Sequence, residues 1–262
     1  MNNMLPLERK LEIIKILERD GKVQIDQLVQ ELQVSSMTIR RDLGQLEDES
    51  KLIRTHGGAV AVNVLISETP YQSKTVTRTE QKKLIAKYAA TIIPEGCSLL
   101  LDSGTTTFEI AKIIKNRADL TIITNDLKVA SELVDSPSSV ICTGGNVQSG
   151  IGAMSGPHTQ SLLRQIKVDL LFLGTHAIDL DNGMSAPTME KALIKKLMVA
   201  SAKSIWLVAD SSKFNKNAFS QICSLDEING IITDSQISKE DLKRFGEQTI
   251  IRTVSEGEET AI

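Results

Sequence analysis

Beyond residue 78 the chain carries seven short aliphatic runs, at 99–101, 120–123, 140–142, 170–173, 205–209, 231–232 and 250–251, separated by segments with helix-like spacing. Strands buried on both faces read as continuous aliphatic stretches, and their alternation with helices is the signature of βαβ units. The expected architecture of this part is therefore a mainly parallel α/β sheet. Aromatic residues make up only 3% of the chain, so its core must be built from Leu, Ile, Val and Ala, which suits such a sheet better than an aromatic-rich sandwich.

Polar and glycine residues collect directly after these runs: Asp102-Ser103-Gly104-Thr105-Thr106-Thr107, Thr124-Asn125-Asp126, Thr143-Gly144-Gly145, Gly174-Thr175-His176 and Asp210-Ser211-Ser212-Lys213. Open α/β sheets bind ligands outside the carboxyl ends of their strands, so these loops predict a small-molecule site. The segment from Asp102 leads into a helix expected to start near Thr106, where backbone N–H groups, hydroxyls and a helix N-terminus converge. That combination suits a phosphate. It lacks the Gly-Lys-Ser/Thr of a nucleotide loop and the spaced glycines of a dinucleotide loop, which speaks against ATP and NAD. An ordinary capped turn is the competing reading.

Asp102, Ser103, Gly104, Thr105 and Thr106 are thus candidate ligand contacts. Asn125 offers both donor and acceptor to sugar hydroxyls, and Gly144 and Gly145 let a ligand approach backbone, although a turn needing positive φ explains the pair equally well. Glu190, on a helix starting near Thr188, and Lys213, after a strand end, complete the candidate set. Lys191, Lys195 and Lys196 read as a solvated helix face. Asp169, His158 and His176 are isolated ionisable residues, and the two histidines read as structural.

The first 61 residues follow another rhythm. Residues 7–19 place Leu11, Ile14 and Leu17 on one stripe and close at Asp20-Gly21. After an extended link at 23–25, Asp26 is expected to cap a helix turning Leu28, Val29 and Leu32 inward. A third helix is expected over 36–49. On its 3.6-residue period Ile39, Leu43 and Leu46 share a narrow stripe, while Met37, Thr38, Arg40, Arg41 and Gln45 spread over the other side. Ser35 or Ser36 can cap it. Two extended stretches then flank Gly57-Gly58 as a hairpin.

Three helices followed by a hairpin predict a winged helix-turn-helix over 6–61, a linker over 62–77 and a ligand-binding domain over 78–255. Residues 1–62 hold nine basic and ten acidic residues, a net of −1, so attraction to phosphate backbone must come from local clustering of Arg40, Arg41, Arg54, Lys51 and His56. Ser35, Ser36, Thr38, Arg40 and Arg41 are the candidate major-groove contacts, with Arg54 and His56 on the wing.

The whole chain, 262 residues with 41% hydrophobic and 24% charged, has the make-up of an ordinary globular protein. Its three cysteines, Cys97, Cys142 and Cys223, lack metal or disulfide spacing. No signal core or membrane-length apolar run is visible, and a cytoplasmic location is expected.

These residues resemble the DeoR family of bacterial transcriptional regulators along nearly the whole chain. Arg9 with Ser35-Ser36-Met37-Thr38-Ile39-Arg40-Arg41-Asp42-Leu43 and the wing ending His56-Gly57-Gly58-Ala59 are similar to the family's DNA-binding signature. Asp102-Ser103-Gly104-Thr105-Thr106, Thr124-Asn125, Gly144-Gly145 and Asp210-Ser211-Ser212-Lys213-Phe214 are similar to its sensor motifs. The resemblance implies a sensor fold related to ribose-5-phosphate isomerase, a phosphorylated sugar or sugar alcohol as effector, double-stranded operator DNA as partner and a dimeric or tetrameric repressor. It implies no catalytic residue, cofactor or metal. Gly44 inside the third helix and Met37 on its exposed face depart from the pattern. Two rivals stand beside this reading: a sugar-phosphate isomerase with an accessory helical domain, using Asp102 or Glu190 as base, and a winged helix that binds protein rather than DNA.

Overall fold

Pro6 opens the first helix, where its missing N–H costs nothing, and the Leu5 N–H is received by the Glu8 carboxylate at 3.0 Å. In this computed structural model, which describes residues 5–20, 22–49, 51–55, 57–61 and 71–256, that helix is α1 (Pro6–Asp20). Its buried side is Arg9, Ile13, Ile16 and Leu17, not the expected Leu11, Ile14 and Leu17 stripe; Leu11 is exposed and Ile14 half-buried. A buried ion pair sets this register. Arg9 Nε and Nη2 donate to the two Asp42 oxygens at 2.5 and 3.1 Å, and both residues are at most 5% exposed.

After β1 (Lys22–Gln24), α2 (Ile25–Leu32) begins one residue before Asp26, which sits in its first turn instead of capping it. The expected Asp26 cap is thus replaced by Gln24 in extended conformation, without a side-chain bond. Gln33 then turns left-handed at φ 52° and leads to α3 (Ser36–Asp48), whose N-terminus is capped by Ser35 Oγ accepting the Thr38 N–H at 3.2 Å. Ile39, Leu43 and Leu46 pack with Ile13, Leu17, Leu28 and Leu32, as the helical period predicts. Strands β2 (Leu52–Thr55) and β3 (Gly58–Ala61) form the hairpin, and β1, expected only as a link, joins it as the edge of an antiparallel sheet ordered β1-β3-β2. A Cβ at Gly58 would lie 1.9 Å from the Val23 carbonyl oxygen, so only glycine lets β1 and β3 close.

The chain divides between residues 67 and 68, and the second unit is built separately. It contains α4 (Tyr71–Val76), α5 (Thr79–Thr91), β4 (Ser98–Leu101), α6 (Thr105–Ile114), β5 (Thr121–Thr124), α7 (Leu127–Glu132), β6 (Ser139–Cys142), the short pair β7 (Asn146–Val147) and β8 (Met154–Ser155), and α8 (Pro157–Gln165). There follow β9 (Val168–Leu173), β10 (Ala177–Asp179), β11 (Gly183–Ala186), α9 (Met189–Ser201), β12 (Ala202–Val208), β13 (Ser220–Cys223), β14 (Gly230–Asp234), α10 (Lys239–Gly246) and β15 (Ile251–Val254). Each of the seven aliphatic runs overlaps a strand of one parallel sheet, ordered β15-β14-β12-β9-β4-β5-β6.

Side chains leave that sheet alternately. Leu99, Leu101, Leu170 and Phe172 pack with α5 and α6, while Leu100, Leu171 and Leu173 pack with α8 and α9, giving a helix-sheet-helix sandwich. The chain winds from β4 outward through β5 and β6, then returns to β9 on the other side of β4 and winds outward again. The winding reverses between β4 and β9, the kind of place at which open α/β sheets bind ligands outside the carboxyl ends of their strands. The structure adds an antiparallel sheet β10-β11-β13 that no aliphatic run announced. It also makes residues 71–76, inside the expected linker, a helix packed against α6.

Breaking the buried Arg9 pair is expected to be costly because the partner charge stays buried. Asp42→Ala should destabilise the N-terminal unit by about 3–5 kcal/mol in chemical denaturation. Gly44→Ala should act oppositely, stabilising it by roughly 0.5–1 kcal/mol, since nothing lies within 4 Å of the added Cβ.

Candidate functional site

Helix α3 presents two chemically opposite faces. Behind it lie the apolar core and the buried Asp42; in front, Ser35, Ser36, Met37, Arg40 and Arg41 are exposed and Thr38 is half-buried. Arg40 and Arg41 form no ion pair among the described residues, so their guanidinium groups are available to an anionic partner. Arg54 is exposed on β2, its backbone N–H bonded to Glu47 Oε1 at 3.2 Å. His56 lies outside the described residues. The ionic balance at the back is equally definite: Lys10 and Lys51 both bind Glu49, which drives its carboxyl below the ordinary range.

At the carboxyl edge of the parallel sheet the loops after β4, β5, β6 and β9 are neighbours, because their strands are. Gly104 precedes α6 and no side chain caps that helix, so the N–H groups of its first turn have no intrahelical acceptor. Thr105 and Thr106 are 8% and 9% exposed there, and Thr107 Oγ1 turns back to the carbonyls of Asp102 and Gly104 at 2.7 and 2.9 Å. Ser103 Oγ donates to Asp126 Oδ2 at 2.8 Å. Asp126 is fully buried and caps α7 by accepting the N–H groups of Lys128 and Val129 at 2.7 and 3.3 Å. Burial raises its pKa, and the bonds from Ser103, Lys128 and Val129 oppose that shift.

Asn125 is 4% exposed; its Nδ2 donates to the Met154 carbonyl at 3.2 Å, while its Oδ1 has no partner among the described residues. Buried acceptors without a partner are uncommon in folded chains. Gly144 and Gly145 have φ of 68° and 109°, and a Cβ at Gly145 would meet the Ser155 carbonyl oxygen at 2.3 Å. The turn alone therefore requires glycine at Gly145.

Asp102 faces inward. Its carboxylate, on a residue 1% exposed, pairs with Lys195 Nζ and accepts the Gly174 N–H at 2.9 Å, while the same ammonium donates to the Gly174 carbonyl at 2.9 Å. Lys195 thus bolts α9 to the ends of β4 and β9, at the point where the winding reverses. It was expected on a solvated face; the structure buries it to 9% exposure in the stripe Ala192, Lys195, Met198, whose spacing was the available signal. Glu190 is exposed in the first turn of α9, and Lys213, half-buried and engaged, follows the turn capped by Asp210.

Sequence reading also missed a second cluster. Arg78, left-handed at φ 53°, donates to Ser211 Oγ at 2.9 Å and Gln236 Oε1 at 3.0 Å, with Asp210 3.7 Å away. Buried Lys82 donates to the carbonyls of Lys74 and Thr77, and burial lowers its pKa. Asp169, at the opposite end of the sheet, joins Ser98 and Lys203. Among the described residues no cluster of His, Cys, Asp or Glu could hold a metal, and no helix is long and apolar enough to cross a membrane.

A winged helix-turn-helix followed by a doubly wound α/β unit is the make-up of a ligand-responsive DNA-binding regulator. Residues 9–64 match the DeoR-like helix-turn-helix domain and residues 77–235 the DeoR C-terminal sensor domain. The chain belongs to the DeoR family of transcriptional regulators. It is 37% identical over 246 residues to the HTH-type transcriptional regulator GlpR of Haloferax volcanii, covering 93% of this chain and 96% of that one. It is 35% identical over 253 residues to a putative aga operon transcriptional repressor of Escherichia coli O157:H7, with 93% of each chain covered. The glycerol-3-phosphate regulon repressor of Escherichia coli K12 is 33% identical over 233 residues, covering 88% of this chain and 92% of that one. Among solved structures, ribose 5-phosphate isomerase A of Methanocaldococcus jannaschii aligns with 53% of this chain and 55% of its own at a TM-score of 0.40 and 14% identity.

Removing the Lys195 ammonium is expected to strand the Asp102 charge. Lys195→Met should destabilise the sensor unit by about 3–5 kcal/mol in denaturant titration, and pairing it with Asp102→Asn should recover most of that loss.

Proposed function

We propose that this chain represses a sugar or sugar-alcohol catabolic operon, and that a phosphorylated sugar bound at the carboxyl edge of the parallel sheet sets its affinity for operator DNA. The observation that carries this reading is the uncapped N-terminus of α6, half-enclosed by Ser103, Gly104, Thr105 and Thr106 beside the open Asn125 acceptor. Helix N-termini attract anions through their free N–H groups and dipole. Asn125, Gly144 and Gly145 would then face the sugar, with Glu190 and Lys213 at the rim. The relatives named for the aga operon and the glycerol-3-phosphate regulon support a phosphorylated carbohydrate as the effector class.

On the DNA side, Ser35, Ser36 and Thr38 would fix α3 on the backbone while Arg40 or Arg41 grips a guanine, a contact worth about 1–3 kcal/mol of discrimination. Arg54 and His56 on the wing would touch neighbouring phosphates. A dimer would present two α3 helices roughly 34 Å apart, or a multiple of that, to match successive major grooves. Such a protein works in the cytoplasm. Sensing rather than catalysis fits the two candidate bases: Asp102 is locked to Lys195, and Glu190 is exposed to solvent.

Arg41→Ala should abolish binding to a duplex from the promoter beside the gene, measured by gel shift. The same variant should keep the wild-type thermal stabilisation by sugar phosphates, about 2.7 kcal/mol at 100 times the dissociation constant. Unchanged DNA affinity would overturn the assignment of α3, and the absence of stabilisation across a broad sugar-phosphate panel would overturn that of the crevice.

A further inference from the structure

We infer that the contact between Tyr71 and Lys128 is the device through which a phosphate at the Ser103–Thr106 loop reaches α4, the first described helix of the second unit. The inference rests on the reading of that loop as the phosphate site. Tyr71 begins α4, and α4 packs against α6, the helix whose N-terminus closes the loop. Its ring is 8% exposed in a small apolar cluster with Ile151 and Ala153. Lys128 Nζ sits 4.0 Å from the ring centroid and also donates to the Ile151 carbonyl.

The other end of Lys128 belongs to the loop. Its backbone N–H is held at 2.7 Å by Asp126, and Asp126 receives the Ser103 hydroxyl at 2.8 Å. Leu127 N–H donates to the Gly152 carbonyl at 2.9 Å and Met154 N–H to the Asn125 carbonyl at 2.6 Å, so the segment carrying Ile151 and Ala153 is tied to the same strand end. Phosphate loop, Asp126, Lys128 and Tyr71 therefore form one connected series.

A bound phosphate oxygen competes for the Ser103 proton. Asp126, fully buried, would then keep a carboxylate oxygen with no donor, a costly state. A cation whose charge already acts on Asp126 is the Lys128 ammonium, at the end of a flexible side chain. Drawn toward Asp126, it leaves the Tyr71 ring and the Ile151 carbonyl, and the seat of α4 loosens. That seat is easily given up, because the Tyr71 hydroxyl is buried there with no hydrogen-bond partner among the described residues. From Tyr71 the disturbance passes to residues 71–78, whose far end is pinned by Lys82 and Arg78.

Amide hydrogen exchange on the full-length protein tests this, with inorganic phosphate as probe and chloride at equal ionic strength as control. In the wild type, phosphate should slow exchange at 102–107 and speed it several-fold at 71–78. Lys128→Met should keep the response at 102–107 and lose that at 71–78, Lys128→Arg should show both, and Tyr71→Leu, which keeps bulk but removes the ring face, should behave like Lys128→Met. A response at 71–78 that survives in Lys128→Met and Tyr71→Leu overturns the relay, as does silence at 71–78 in a wild type that responds at 102–107. Silence at 102–107 overturns the phosphate site itself and the relay with it.

Discussion

The Lys195–Asp102 pair is the interaction on which the sensor unit's site depends. It lies where the sheet reverses its winding, and it joins α9 to the ends of β4 and β9 through one ammonium, one carboxylate and the Gly174 peptide. Two charges out of water are held together because separating them leaves each uncompensated. With Asp102 fixed in this way, the chain immediately after it leads through Ser103 and Gly104 into α6 at the carboxyl edge of the sheet. The N-terminal unit uses the same device. Arg9 and Asp42 lock α1 to α3, which fixes the rotation of α3 and turns Arg40 and Arg41 outward.

Both units thus answer one problem, how to hold polar groups ready for a partner while the side chains behind them stay put. In α3 the answer is a helix with Ile39, Leu43, Leu46 and Asp42 behind it and two arginines in front. At the sheet edge it is a helix start without a side-chain cap among buried threonines, beside an asparagine whose side-chain carbonyl has no donor among the described residues. Groups satisfied internally, such as Asp102 and Asp126, hold the geometry around them.

Much of this was legible in the sequence. Each of the seven aliphatic runs overlaps a strand of the parallel sheet; the central strands are covered on both faces and have little choice of residue type, while the edge strands β6 and β15 stay partly exposed. The period of Ile39, Leu43 and Leu46 and the Ser35 cap were equally plain. What escaped notice depended on partners distant in sequence. The α1 register rests on Arg9 meeting Asp42, so an apolar count alone chose the neighbouring stripe with Leu11. Lys195 was hidden among flanking lysines, and only its place between Ala192 and Met198 marked it as buried. Strands β10, β11 and β13, short and rich in Ala, Gly and Ser, carry no periodic signal, and α4 is a six-residue helix held by Tyr71 packing and by Lys82 rather than by its own propensity.

The central claim is that one molecule couples a phosphate at the sheet edge to DNA held by α3. Fluorescence anisotropy of a promoter duplex, titrated with the full-length protein with and without a sugar phosphate that stabilises it thermally, measures that coupling directly. The account predicts a change in duplex affinity of about 5- to 150-fold, a coupling of roughly 1–3 kcal/mol. Identical affinity with and without every sugar phosphate that binds would contradict it.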